Sequence, residues 1–167
     1  NLIVAGGGVL DFGGNNSKTF NGGTITNLGT VVWPASGPTV WYFNTAHFEN
    51  AGLVDLQRDG IFVENVVEFS FRNAGTLRKS GGTGAGGFSA GVAVTNGGTF
   101  EALSGDLDFP AGYAMTTGLL RFGISGNSAF GRITYTGTAP LVGAVGAVLQ
   151  NSFVPETNVS FPVMTFG

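Results

Sequence analysis

Cysteine is absent from this 167-residue chain, which rules out a disulfide framework and any Cys-based metal site and leaves packing and backbone pairing to hold the fold. Charge is scarce: Asp, Glu, Lys and Arg make up only 10% of the residues, and no basic run exceeds Arg78-Lys79. A nucleic-acid footprint needs clustered Lys and Arg, so nucleic acid is not expected as a partner, nor is an anionic membrane surface. Long apolar runs are missing as well, and no window approaches the ~18 apolar residues of a membrane span, so no membrane insertion is expected. The opening Asn1-Leu2-Ile3-Val4-Ala5-Gly6 has neither the basic start nor the apolar stretch of a signal peptide, and the chain reads as mature or excised from something longer. Histidine occurs once, at His47, so a His-rich metal site or a Ser-His-Asp triad has at most one imidazole to use.

What is present points one way. Thirty glycines and fifteen phenylalanines argue for frequent turns around an aromatic core, since disordered chains are poor in aromatics and rich in charge. The length suits one domain over residues 1–167. With so little charge, the surface must be covered largely by Asn, Thr, Ser and Gly, a composition unusual for a cytosolic protein.

Four blocks repeat along the chain: Asn27-Leu28-Gly29-Thr30-Val31, Asn50-Ala51-Gly52-Leu53-Val54, Asn73-Ala74-Gly75-Thr76-Leu77 and Asn96-Gly97-Gly98-Thr99-Phe100. Their asparagines step by 23 (27, 50, 73, 96). An apolar residue stands two positions before each Asn (Ile25, Phe48, Phe71, Val94) and another four after it (Val31, Val54, Leu77, Phe100), which reads as strand, turn, strand. Further apolar pairs follow, such as Ile61 with Val63, Val67 with Phe69 and Leu107 with Phe109, and no 3.6-residue period is long enough for a helix. The fold class is therefore all-β: a right-handed parallel β-helix, or solenoid, with about 23 residues per coil, regular over residues 1–118 and degenerate over 119–167, where an atypical cap is expected. Roughly seven coils at the strand spacing of ~4.8 Å would stand about 34 Å tall.

The repeat assigns structural roles. Asn27, Asn50, Asn73 and Asn96 should stack as an amide ladder, with the αL tolerance of Asn and Gly shaping the corner. Five residues past each Asn come Val32, Asp55, Arg78 and Glu101, a column of alternating charge that selects register more than it adds stability, because exposed pairs are worth ~0–1 kcal/mol. Glu49 and Arg72 form a similar pair. Lys79 breaks the pattern: it falls in the inward column of Trp33, Leu56 and Ala102, and is expected to escape through the Gly81-Gly82-Thr83-Gly84 loop.

Phe48-Glu49-Asn50-Ala51-Gly52 and Phe71-Arg72-Asn73-Ala74-Gly75-Thr76-Leu77-Arg78-Lys79-Ser80-Gly81 resemble the Asn/Gly-rich β-solenoid repeats of large bacterial secreted and surface proteins, similar to autotransporter passengers and filamentous-haemagglutinin-like adhesins. Residues 127–167 resemble the alternating segment that often follows such arrays. The resemblance implies an extracellular scaffold used in adhesion or surface layers and transfers no catalytic residue.

Chemistry is thinly represented. Asp106 and Asp108 share a strand face and form the best candidate carboxylate pair for a polysaccharide-active enzyme, with Asp55 and Asp59 behind them. His47 reads as structural. Gly81–Gly87 lacks the Lys-Ser/Thr and helix of a phosphate-binding loop, and no cofactor or metal is expected. Trp41 and Tyr42 are the candidate sugar-stacking residues of a carbohydrate-binding module. The leading expectation is a non-enzymatic structural or adhesive solenoid. Its partner is itself, head to tail through the uncharged apolar strands Leu2-Ile3-Val4 and Phe161–Phe166, or neighbouring repeats of a longer chain, with polysaccharide as the alternative ligand.

Overall fold

The computed structural model describes residues 1–66, 68–110, 113–138 and 140–167. Val67, paired above with Phe69, lies outside the described residues. Among the described residues there are eighteen β-strands and no helix. In chain order the coils are β1 (Leu2–Val4), β2 (Val9–Asp11) and the start of β3 (Lys18–Asn27); the rest of β3, then β4 (Thr30–Trp33) and the start of β5 (Val40–Asn50); the rest of β5, then β6 (Leu53–Leu56) and β7 (Ile61–Glu64). There follow β8 (Phe69–Asn73), β9 (Thr76–Lys79) and β10 (Ala85–Phe88); β11 (Ala93–Asn96), β12 (Thr99–Ala102) and β13 (Asp106–Phe109); β14 (Ala114–Met115), β15 (Leu119–Ile124) and β16 (Arg132–Tyr135); and last β17 (Ala144–Leu149) and β18 (Met164–Phe166).

Every ladder between named strands is parallel and joins one coil to the next, which makes the molecule a β-solenoid with coils of about 23 residues. Each coil has a first face ending in Asn, a second face after the Asn-x-Gly corner, and a third face that bends back to the first. The stack has about six turns, not seven, because the last level carries strands on only the second and third faces. The interior is aromatic. Phe43 stacks on Phe69 at 4.0 Å and Phe48 lies 5.0 Å from Phe71, while Trp33, Trp41 and Phe62 pack edge-on or tilted. Burying each ring is worth about 1.5–3 kcal/mol. On β7 the inward residue is Phe62, so Ile61 is exposed and does not join the core.

The Asn ladder forms as one continuous chain of amides. Asn27 donates to Asn50 Oδ1 at 2.8 Å, Asn50 to Asn73 at 2.6 Å and Asn73 to Asn96 at 2.8 Å, and these three donors also reach the backbone carbonyls of Leu53, Thr76 and Thr99. Buried amides cost stability unless satisfied, and here Asn27, Asn50 and Asn73 are each held by the next coil, while the Asn96 Nδ2 ends the ladder without a hydrogen bond among the described residues. The corner glycine has a different reason from the expected one. Gly52, Gly75 and Gly98 do not adopt positive φ; a Cβ on Gly75 would lie 2.1 Å from the carbonyl oxygen of Gly52 in the coil below. Glycine is required because backbone stacks directly on backbone, so close approach and not left-handed conformation selects it.

The register changes after Asn96. Met115, not Leu119, occupies the next position of the ladder, because the coil shortens on this face, while Leu119 pairs with Thr99. An apolar side chain then closes the amide column, and the strict 23-residue count fails from there.

Candidate functional site

The most extensive candidate surfaces are the two ends of the stack. Val145, Leu149 and Phe166 pair with Leu120, Ile124 and Tyr135, which are buried, so they stand in the same inward columns. They are nonetheless 62%, 53% and 54% exposed, because no coil covers them. At the opposite end Leu2 and Leu10 pair with the buried Ile25 and Val31 and are themselves partly open, as are Phe12 and Phe20. Strands β1, β2, β17 and β18 each pair on one side only. Among the described residues, both ends therefore present partly exposed apolar side chains of the inward columns beside strands that pair on one side. Over residues 119–167, β17 and β18 continue the stack in parallel register with β15 and β16.

The charge column is built differently from a set of exposed pairs. Asp55, Arg78 and Glu101 stand on consecutive coils. Arg78 turns to Glu101 (Nε to Oε2, 2.5 Å), and Asp55 instead accepts from Ser80 and Gln57. Glu101 is buried and takes a second guanidinium, Arg121, at 3.1 Å. Arg121 went unassigned in the sequence because the shortened coil moves it out of the 23-residue count; aligning Gly118–Phe122 with Gly98–Ala102 places it on Glu101. The outer pair, Arg72 and Glu49, sits 3.9 Å apart and exposed.

Lys79 does not escape through the glycine loop. It is fully buried, and its Nζ donates to Asp59 Oδ1 at 2.8 Å and to the Gly81 carbonyl at 2.7 Å. The loop closes over this pair: the Gly84 N–H reaches the Asp59 carboxylate, and Gly82, at φ 75°, leaves room where a Cβ would strike Asp59. The anion cradled by the Gly-rich segment is thus the chain's own Asp59. Burial pushes that carboxyl up, but the hydrogen bonds from Lys79 and Gly84 and the charges of Lys79 and Arg58 outweigh it and leave it below the ordinary value.

Asp106 and Asp108 face outward on β13, and their environments diverge. Asp106 holds Arg132 through two bonds, 2.5 and 3.0 Å, whereas burial, followed by the charge of Asp106, pushes Asp108 up. Among the described residues no group of three or more His, Cys, Asp or Glu side chains comes together to hold a metal ion. His47 is exposed and shares a 2.8 Å hydrogen bond with Ser70. Burial also pushes Tyr113 up to about 12 and raises Tyr135.

Trp41 and Tyr42 do not form one stacking platform. They point to opposite sides of β5: Trp41 is 2% exposed, wedged between Phe12 and Phe43, and only Tyr42 reaches the surface. No protein family, curated protein or solved structure matches the chain.

Proposed function

We propose that the protein is a non-enzymatic, extracellular structural and adhesive β-solenoid that extends by stacking its ends on one another. The observation that carries this reading is the set of partly exposed apolar side chains of the inward columns at both ends, beside strands that pair on one side among the described residues. A contact between one end and the other is heterologous; it repeats without closing and generates a filament. The low charge, unusual for a cytosolic protein, supports an extracellular setting, as does the resemblance to secreted adhesin repeats.

Sedimentation velocity and electron microscopy of the chain over a range of concentrations test this. Association into fibres one solenoid wide is expected, and Val145→Lys or Leu10→Lys should return monomers by placing a charge in the joint. Particles that stay monomeric at every concentration would overturn self-assembly and leave neighbouring repeats of a longer chain as the covering.

A further inference from the structure

Departures from the repeat gather at one corner of the coil. Between the second and third faces the chain spends residues 57–60, 80–84 and 103–105 in the middle coils, but 125–131 and 150–163 in the last two. In repeat proteins, insertions collected on one side often mark the binding side, because loops there can change without disturbing the stack.

These loops enclose a groove of about 410 Å³. Its walls include Thr83, Ser128, Phe130, Arg132, Gln150 and Asn151. Three further lining hydroxyls are already engaged: Ser80 donates to Asp55, Ser104 to the Gly82 carbonyl and Ser125 to the Ala129 carbonyl. Among the described residues no hydrogen bond engages the side chains of Thr83, Ser128, Gln150 or Asn151, so four groups able to donate and accept converge on the groove without partners. Asn151 and Ser152 sit consecutively at φ 52° and 56°, a left-handed pair closed by the Phe153 N–H donating to the Gln150 carbonyl, a tight turn that asparagine tolerates well.

Charge then selects the ligand. Arg132 is the one ionisable group among the lining residues, and Asp106 occupies its guanidinium through two hydrogen bonds. No free cation remains there for an acidic ligand. We propose that this groove binds a neutral saccharide. Sugar hydroxyls donate and accept together, as do the amides and hydroxyls here, and Phe130, with the Arg132 guanidinium 5.9 Å over its ring and Phe161 packed edge-on at 5.6 Å, gives the groove an aromatic wall for the apolar part of a pyranose. The groove gives the adhesive reading a ligand class and does not depend on end-to-end stacking.

The test is calorimetric titration of the whole chain with neutral oligosaccharides (gluco-, xylo-, manno- and N-acetylglucosamine oligomers) and with oligogalacturonate as the anionic comparison. At least one neutral oligomer should bind, and Phe130→Ala and Asn151→Ala should each weaken it roughly tenfold. Ser128→Trp should abolish binding by filling the groove from an exposed loop position while leaving the melting temperature unchanged, and Tyr42→Ala, on the second coil, should bind as the parent does. Failure of every neutral oligomer, preference for oligogalacturonate, or binding that survives Ser128→Trp would overturn the proposal. Electron microscopy of the same preparations reads stacking separately, so the two ideas fail independently.

Discussion

Two corners of the same coil obey different rules. At the Asn-x-Gly corner every dimension is held: an amide from one coil bonds the amide of the next, and a glycine carbonyl lies 2.1 Å from where the next glycine's Cβ would be. At the loop corner the connection ranges from residues 103–105 to 150–163, yet the sheets on either side stay parallel and in register. The stack is therefore indexed at one corner and free at another. Stability is concentrated where nothing can change, and chemistry can collect where much can.

The sharpest way to break the comparison is to add one methyl group at each corner. Gly75→Ala drives a Cβ into the Gly52 backbone, which has no rotamer by which to yield, and should cost about 3 kcal/mol or more. Gly126→Ala in the loop meets nothing nearer than the Ala129 Cβ at 3.4 Å and should shift stability by less than about 0.5 kcal/mol. Urea denaturation of both variants measures the difference; equal costs would mean that the corners are not distinct.

Next in size is the ladder itself. Asn73→Ala removes the link between Asn50 and Asn96 and the bond to the Thr99 carbonyl, although Asn50 keeps Thr76 and Asn96 keeps Gly98. The partial rescue limits the expected loss to about 2–3 kcal/mol. A loss near zero in the same denaturation experiment would show that stacking, not amide bonding, holds this corner.

The held corner was legible in the sequence and the free one was not, for a physical reason. Stacking forces identical residues to recur at identical spacing, so the asparagines at 27, 50, 73 and 96 announce both the coil and their own contacts. A loop corner has no neighbour dictating its length, so nothing in the spacing of Ser128, Gln150 and Asn151 brings them to one groove. Met115 is a milder case: the ladder position continues, but a shortened coil hides it from a count of 23. Trp41 was misread because an aromatic-rich strand looks the same whether its ring faces glycan or core, and only packing against Phe12 and Phe43 separates them.

Lys79 tests how far the inward rule extends. Strand alternation pointed it inward and its charge argued for an exit; alternation prevailed because Asp59, on the preceding coil, and the Gly81 carbonyl receive the ammonium inside. Replacing a buried ion by an apolar side chain of similar volume is often nearly neutral, and the partner left behind is not stranded, since the Asp59 side chain is 41% exposed and keeps the Gly84 N–H. Lys79→Met should therefore change stability by less than about 1 kcal/mol at neutral pH, well below either change at the held corner. A larger loss would make this pair a second fixed point of the coil.

The smallest expected effect separates two acids on the variable side of the molecule. Asp59 lies below its ordinary value, so its contribution is present above the unfolded-state pKa and is lost as pH falls through the folded one. Asp108 is the reverse. Burial and the charge of Asp106 raise it, and Thr134, Lys79 and Arg132 offset this only in part, so its contribution is present below the unfolded-state pKa and is lost as pH rises through the folded one. At neutral pH the ionised Asp108 is a mild liability. Asp108→Asn should accordingly raise the melting temperature at pH 7 by something on the order of a degree, and the gain should vanish as the pH drops and the native carboxyl takes up its proton. Melting curves of parent and variant from pH 7 down to acid check both the sign and the direction of the trend. A gain that grows toward low pH would mean that Asp108 is held as a carboxylate, and that the two acids on this side share one environment.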